Sequence, residues 1–348
     1  MTITLHVGTY AGAGGQGLHR VDYDPNAGFV THPADGAATN ASYGACSARH
    51  GLHYLVQEQA HGMLGVYRCE QDGWKRLATL SSEGSDPCYV ALSSDERRVA
   101  VANYASGSLA LFDLTADGFP SGEVAIWANN GVGPNAERQE GPHIHCVNFG
   151  DDGKSLYAVD LGTDQLLRFE LRDPVSLDAP EVAWQAPPGS GPRHLLFHPA
   201  HPLALLVSEL ASTLTLFDAI ANALAFRARC STVPPAFTGE NLGGHIGLNR
   251  AGSRVYVTNR GHDSIATFVL DPDGATLDLV QHVASGGASP RFFLLDEDIG
   301  RLVLVNEEAG NLVAFAIGND GLLAPTGHTV DVAGAAYVMT ANGAPALG

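Results

Sequence analysis

The chain is short of positive charge. Its 19 lysines and arginines face 37 aspartates and glutamates, a formal net charge of −18. Surfaces that bind nucleic acid or an anionic membrane need clustered Lys and Arg, so neither partner is expected. A small anion is still compatible, because a few arginines gathered at one place override the global field. Helical periodicity is nearly absent, and no apolar run approaches the ~20 residues that span a bilayer. The strand-like start Ile3-Thr4-Leu5-His6-Val7-Gly8-Thr9-Tyr10 has no basic segment with an apolar stretch behind it. No secretory leader is expected, and the cytoplasm is the expected location.

Other signatures are missing too. The five cysteines (Cys46, Cys69, Cys88, Cys146 and Cys230) are odd in number and form no CxxC. They read as small buried hydrophobes in a reducing compartment, not as a disulfide framework. HExxH is absent, and the His143-x-His145 pair has no carboxylate spaced for a local zinc site. No metal or other cofactor is expected. G-x-S-x-G is absent, which disfavours a serine hydrolase. The glycine-rich stretch Gly12–Gly17 has no helix behind it and reads as a hairpin turn, not a phosphate loop.

What the sequence has is repetition. A run of β-formers ending in a polar residue recurs as Ala100–Asn103, Leu156–Asp160, Leu205–Glu209, Val255–Asn259 and Leu302–Asn306. The copies stand about 50 residues apart, the length of four strands and their turns, which selects a β-propeller among closed β-architectures. Asp72-Gly73, Asp117-Gly118, Asp152-Gly153, Asp273-Gly274 and Asp320-Gly321 mark tight turns between strands. The expected fold is therefore all-β: one domain over 1–348, a seven-bladed β-propeller. Blades two to seven fall at about 41–80, 86–126, 142–184, 192–232, 244–282 and 290–323. Blade one is shared between strands from 3–31 and the C-terminal stretch Ala335–Met339, which leaves no free edge at the seam. Trp-Asp dipeptides and a repeated double glycine are missing, so the WD40 and kelch classes are not indicated. Two long connections, Trp127–Gly141 and Thr232–Gly243, have the length of functional loops.

The blades differ from one another at two places. At the entry of the first strand stand His143 and His145 in blade four, Arg193 and His194 in blade five, His245 in blade six and Arg291 in blade seven. If these converge they make a cationic, imidazole-lined mouth suited to a carboxylate, a phosphate or a developing oxyanion. At the end of the second strand, Asn103, Asp160, Asn259 and Asn306 read as residues that bond the following turn. Glu209 in blade five is longer, and Arg260 in blade six stands just beyond this position. Each of these side chains could instead be a satisfied core histidine or an ion pair pinning neighbouring blades.

Pro142-His143-Ile144-His145, Tyr157–Asp164, Gly191–Pro199, Ser208–Thr213 and Tyr256–Ile265 resemble, in order, the seven-bladed β-propeller lactonase family. That family holds bacterial 6-phosphogluconolactonase and the fungal 3-carboxy-cis,cis-muconate lactonizing enzyme. The resemblance covers nearly the whole chain. It implies a metal-independent site with one histidine, two arginines and one glutamate, whose counterparts are His145, Arg193, Glu209 and Arg260. His143, His194, His245 and Arg291 would bind substrate. The implied activity is hydrolysis of a sugar-acid lactone, 6-phosphogluconolactone or a related aldonic or aldaric lactone. Cycloisomerisation of a carboxylated muconate and a non-catalytic binding platform are the alternatives. The expected partner is a small anionic lactone, with the chain a monomer or weak homo-oligomer.

Overall fold

The computed structural model describes residues 2–340 apart from Asp72, Pro174, Asn222 and Gly274. Of the turn signals above, Asp72 and Gly274 lie outside the described residues, as does 341–348 of the expected domain. The described residues form 28 strands in seven four-stranded antiparallel sheets, and no α-helix is found among them. These are the blades of a seven-bladed β-propeller. Six blades are consecutive meanders. The seventh sheet orders Ala335–Thr340, Ile3–Thr9, Leu18–Asp24 and Gly28–Asp35. The chain therefore closes blade one with its last strand, paired from Leu5↔Thr340 to Gly8↔Tyr337. Gly12–Gly17 is the expected hairpin connection, with a 3-10 turn at Ala11–Ala13. A Cβ at Gly15 would collide with the Thr9 side chain and the Tyr10 carbonyl. Blade seven extends further than expected, its last strand running Leu323–Asp331.

Chain contacts group residues 1–39, 196–218 and 226–348 into one compact unit, and 40–195 with 219–225 into another. In both, second strands are buried on both faces. Leu52–Gln57, Ser155–Asp160 and Leu203–Ser208 are buried at every position. This is why they read as continuous apolar runs instead of alternating ones. Fourth strands such as Ala223–Ser231 expose most of their residues. In the first unit Leu205, Val207, Leu214, Leu216, Val255, Val257 and Phe268 share one core cluster.

The turn signals have a second use. Tyr256 donates its hydroxyl to the carbonyl of Gly321 at 2.7 Å. In the other unit Tyr54 donates likewise to Gly118 at 2.6 Å. Each glycine adopts positive φ in an Asp-Gly turn of the following blade. A buried tyrosine in one second strand thus fixes the far turn of its neighbour.

The polar ends of the second strands behave differently from the expectation. Asn103 donates to Ser82 O, Asn259 to Thr232 O and Asn306 to Ser285 O, at 2.9, 2.7 and 3.2 Å. The amides therefore clasp the exit of the preceding blade, not the turn that follows. Asp160 does serve its turn, accepting from Gly162 N and Thr163 N, and it also accepts from His143 N.

Strand pairing also corrects the place given to Glu209. Asn103, Asp160, Asn259 and Asn306 pair with Ser108, Gln165, Ser264 and Asn311. The residue with the same relation in blade five is Ser208, paired with Thr213. Glu209 is one position further on, where the other blades carry Tyr104, Leu161, Arg260 and Glu307. The repeat was misaligned there because blade five ends its apolar run in two polar residues.

Candidate active site

The first strands of blades three, four and seven carry a β-bulge at their second residue. In blade four Ile144 pairs with Asp160 and Cys146 with Val159, so His145 is the extra residue. Cys88 and Arg291 hold the same place in blades three and seven. Arg193 is likewise the second residue of its strand, Pro192–Phe197. A bulge re-aims its side chain out of the regular alternation. His145 and Arg291, chosen from sequence because they break the repeat, thus stand where the backbone also breaks its pattern.

Within the unit that holds blades two to four, His145 belongs to a chain of ring contacts. Tyr43 stacks on Tyr89 with centroids 4.0 Å apart, and Tyr89 meets His194 edge-on at 5.1 Å. His194 meets His145 at 5.3 Å, and His145 meets Tyr104 at 5.3 Å. Tyr104 stacks nearly parallel on His143 at 4.4 Å. All but Tyr104 are buried. A guanidinium stands at each end of the His194–His145–Tyr104 stretch. Arg193 Nη1 lies 2.9 and 3.2 Å from the two ring nitrogens of His194. Being close to both places it over the ring face and not in the ring plane. At the other end Arg138 Nη2 donates to Tyr104 Oη at 3.2 Å.

The histidines differ in what their nitrogens meet. His143 is held by acceptors on both sides, Tyr104 O at 3.1 Å from Nδ1 and Glu140 Oε1 at 3.3 Å from Nε2. That suits an anchoring role beneath Tyr104. His145 has Cys88 Sγ 3.6 Å from Nδ1. The Cys146 and Cys46 thiols are no nucleophiles at neutral pH. Burial pushes Cys146 up to about 12 and Cys46 up to about 11, and it is the thiolate that attacks. Burial likewise holds the Tyr89 hydroxyl well above its ordinary range, so it stays a neutral donor.

The remaining expected residues lie in the other unit. Glu209 Oε2 pairs with Arg260 Nη2 at 2.7 Å, and the same nitrogen donates to Gly243 O at 3.0 Å. Glu209 is buried. Arg291 Nη1 pairs with Glu307 Oε2 at 3.2 Å, and its guanidinium lies 5.3 Å from the centre of the Tyr10 ring. His245 is fully buried, with its ring 4.2 Å from that of Phe292 and 4.8 Å from that of Phe293. No group of three or more His, Cys, Asp or Glu that could hold a metal occurs among the described residues. No helix among them is long and apolar enough to cross a membrane.

Sequence reading did not find Tyr104, Tyr89, Tyr43 or Arg138. Tyr104 carried a usable signal: it fills the position where other blades have Leu161, Glu209, Arg260 and Glu307. Arg138 carried none beyond lying in the long loop after Trp127.

A propeller with these family phrases and this histidine–arginine cluster defines a class, and comparison with known proteins defines it independently. The model of the seven-bladed β-propeller lactonase family matches residues 4–340. The chain belongs to that family. It is 35% identical over 318 residues to a 6-phosphogluconolactonase of Bacillus subtilis, covering 89% of this chain and 90% of the relative. Among solved structures it is similar to a protein from Lactobacillus plantarum, with TM-score 0.89, 28% identity, and coverage of 97% and 99% of the two chains. It is also similar to the periplasmic gluconolactonase of Pseudomonas aeruginosa, with TM-score 0.88, 26% identity, and coverage of 97% and 98%.

Proposed function

We propose that the chain is a metal-independent hydrolase of sugar-acid lactones, and that His145 and Arg193 carry the chemistry. The observation behind this reading is His145 on its bulge, flanked by His194 under the Arg193 guanidinium. Water attacks the lactone carbonyl carbon and gives its proton to His145 as general base. The carbonyl π pair moves onto oxygen, and Arg193 stabilises that charge. The intermediate then collapses, the ring C–O bond breaks, and the leaving alkoxide takes the proton back from the imidazolium. The net change is lactone plus water to a hydroxy acid, which releases one proton at neutral pH. The relatives named for 6-phosphogluconolactone and gluconolactone support the substrate class. Glu209 is committed to Arg260, so His145 is the better base. His143 anchors Tyr104, and His245 is given a packing role.

Proton release on a lactone panel with EDTA present tests the reading. The panel holds 6-phosphogluconolactone, glucono-δ-lactone, an aldaric lactone and a muconolactone. Opening of one member well above its spontaneous rate is expected. His145→Asn and Arg193→Gln should each lower kcat by about 100-fold or more with the fold intact, the scale of a lost acid–base or oxyanion group. A flat panel overturns the hydrolase and turns attention to muconate cycloisomerisation. Near-wild-type turnover of both variants overturns the residue assignment.

A further inference from the structure

Arg138 was singled out by nothing in the repeat, yet it stands opposite Arg193 across the ring contacts around His145. Its place is built and not incidental. The loop 129–143 is pinned at both ends. Asn129 donates to Asp160 Oδ2 at 2.6 Å, and the fully buried Gln139 donates to Leu161 O at 2.9 Å. Inside the loop Gly133 N donates to Gln139 O at 2.9 Å, and Asn135 Oδ1 accepts from Arg138 N at 3.1 Å. The residue before and the residue two after Arg138 are acids, Glu137 and Glu140. The Glu140 carboxyl is held below its usual range by its own backbone amide first, then by His143 and by Arg138.

Resting on the hydrolase reading above, we infer that Arg138 is a specificity-determining residue: it takes the remote anionic group, phosphate or carboxylate, of a lactone whose carbonyl is at His145. Tyr104 spans the two. Its ring centre is 5.3 Å from that of His145, and its hydroxyl is 3.2 Å from Arg138. Adding the ring's half-length puts the guanidinium at most about 11 Å from the imidazole centre. A six-carbon lactone with a terminal phosphate is roughly 7 Å from carbonyl to phosphorus, and a hydrogen bond of about 3 Å at each end gives it a reach of about 13 Å, enough to span the two. The separation therefore suits a substrate with charge at the end of its tail. A planar guanidinium fork suits phosphate and carboxylate alike. Arg193 at the reacting end stabilises charge that develops. Arg138 at the far end meets charge that is already there, so it acts on binding and not on the chemical step.

The test compares the wild type with Arg138→Gln in two readouts. In turnover, the KM for 6-phosphogluconolactone should rise at least tenfold with kcat changed less than threefold. The preference for it over glucono-δ-lactone should collapse by a similar factor. In calorimetry, the wild type should bind 6-phosphogluconate more tightly than gluconate, and the variant should lose that difference. An aldarate, with a carboxylate at the same end, separates phosphate from carboxylate recognition. Glu140→Gln, which removes the competing carboxylate, should strengthen 6-phosphogluconate binding. Equal losses on both lactones, or an unchanged preference, overturn the inference. If the wild type opens no lactone, the hydrolase reading fails, and the calorimetric comparison alone decides whether Arg138 selects the anion.

Discussion

Each charged residue singled out from sequence has a defined partner, and the partner decides what its loss would do. Glu209 is the clearest case. It is buried against Arg260 at 2.7 Å. Removing one member of such a pair leaves the other charge without compensation, and this costs more than the pair contributes. Glu209→Gln keeps the shape and one acceptor oxygen, so it should lower stability by about 1–3 kcal/mol, the scale of an impaired charged hydrogen bond. Urea unfolding measures this. An unchanged midpoint would show that Arg260 finds another partner. His245 shows the opposite lesson. Its position in sequence resembled that of the other first-strand histidines, but two phenylalanine rings cover it. Sequence spacing places a residue on a strand and does not say what packs on it.

At the level of elements, the bulges and the long loop matter most. The bulge at His145 is one residue of extra backbone, and nothing in Pro142-His143-Ile144-His145 announces it. The loop 129–143 was legible as a long connection, but its seating was not. It depends on Gly162, where a Cβ would run into the carbonyl of Gly141 and the amide nitrogen of His143. These neighbours are backbone and cannot swing away. Gly162→Ala should therefore cost about 1–3 kcal/mol, as overpacking does. It should also speed amide exchange across 129–143 ahead of the blade strands. Hydrogen exchange with mass spectrometry reads both outcomes. Wild-type protection over the loop would show that the backbone adjusts at little cost. The same element explains why the Asn/Asp positions were only half understood. That these residues bond backbone was readable from their chemistry. That three of them reach back to a preceding blade required knowing which blade exits lie beside them.

For the whole molecule, the buried phenols and thiols set an alkaline limit. Burial raises Tyr256 to about 12 and Cys146 to about 12, and it pushes Tyr54 higher still. Below about pH 7 these groups are protonated in both folded and unfolded chains and contribute nothing to pH dependence; the unfolded thiol begins to ionise near about pH 8 and the phenols near about pH 9. Between about pH 9 and 12 the unfolded chain releases protons that the folded chain retains. The unfolded state then binds fewer protons, so stability falls as pH rises. Thermal unfolding should show Tm decreasing steadily above pH 9, with the Tyr256→Phe variant less steep than the wild type. Equal slopes would show that Tyr256 does not contribute to the limit. The acidic chain has the same tendency through self-repulsion, and the variant comparison separates the two because the substitution changes no carboxylate.

The sequence by itself determined the repeat length, the all-β class, the blade count and the shared first blade. These rest on local chemistry: β-branched and aromatic runs, Asp-Gly turns, and apolar second strands covered on both faces. It also determined which residue types depart from the repeat. Only the tertiary structure decided where those departures point. Ser208 and not Glu209 ends the second strand of blade five, because pairing to Thr213 is a contact between strands. His145 is on a bulge and His245 is beneath two rings, because register and packing are set by neighbours far along the chain. Arg138 joins Tyr104 across 34 residues, and only a folded loop brings them together.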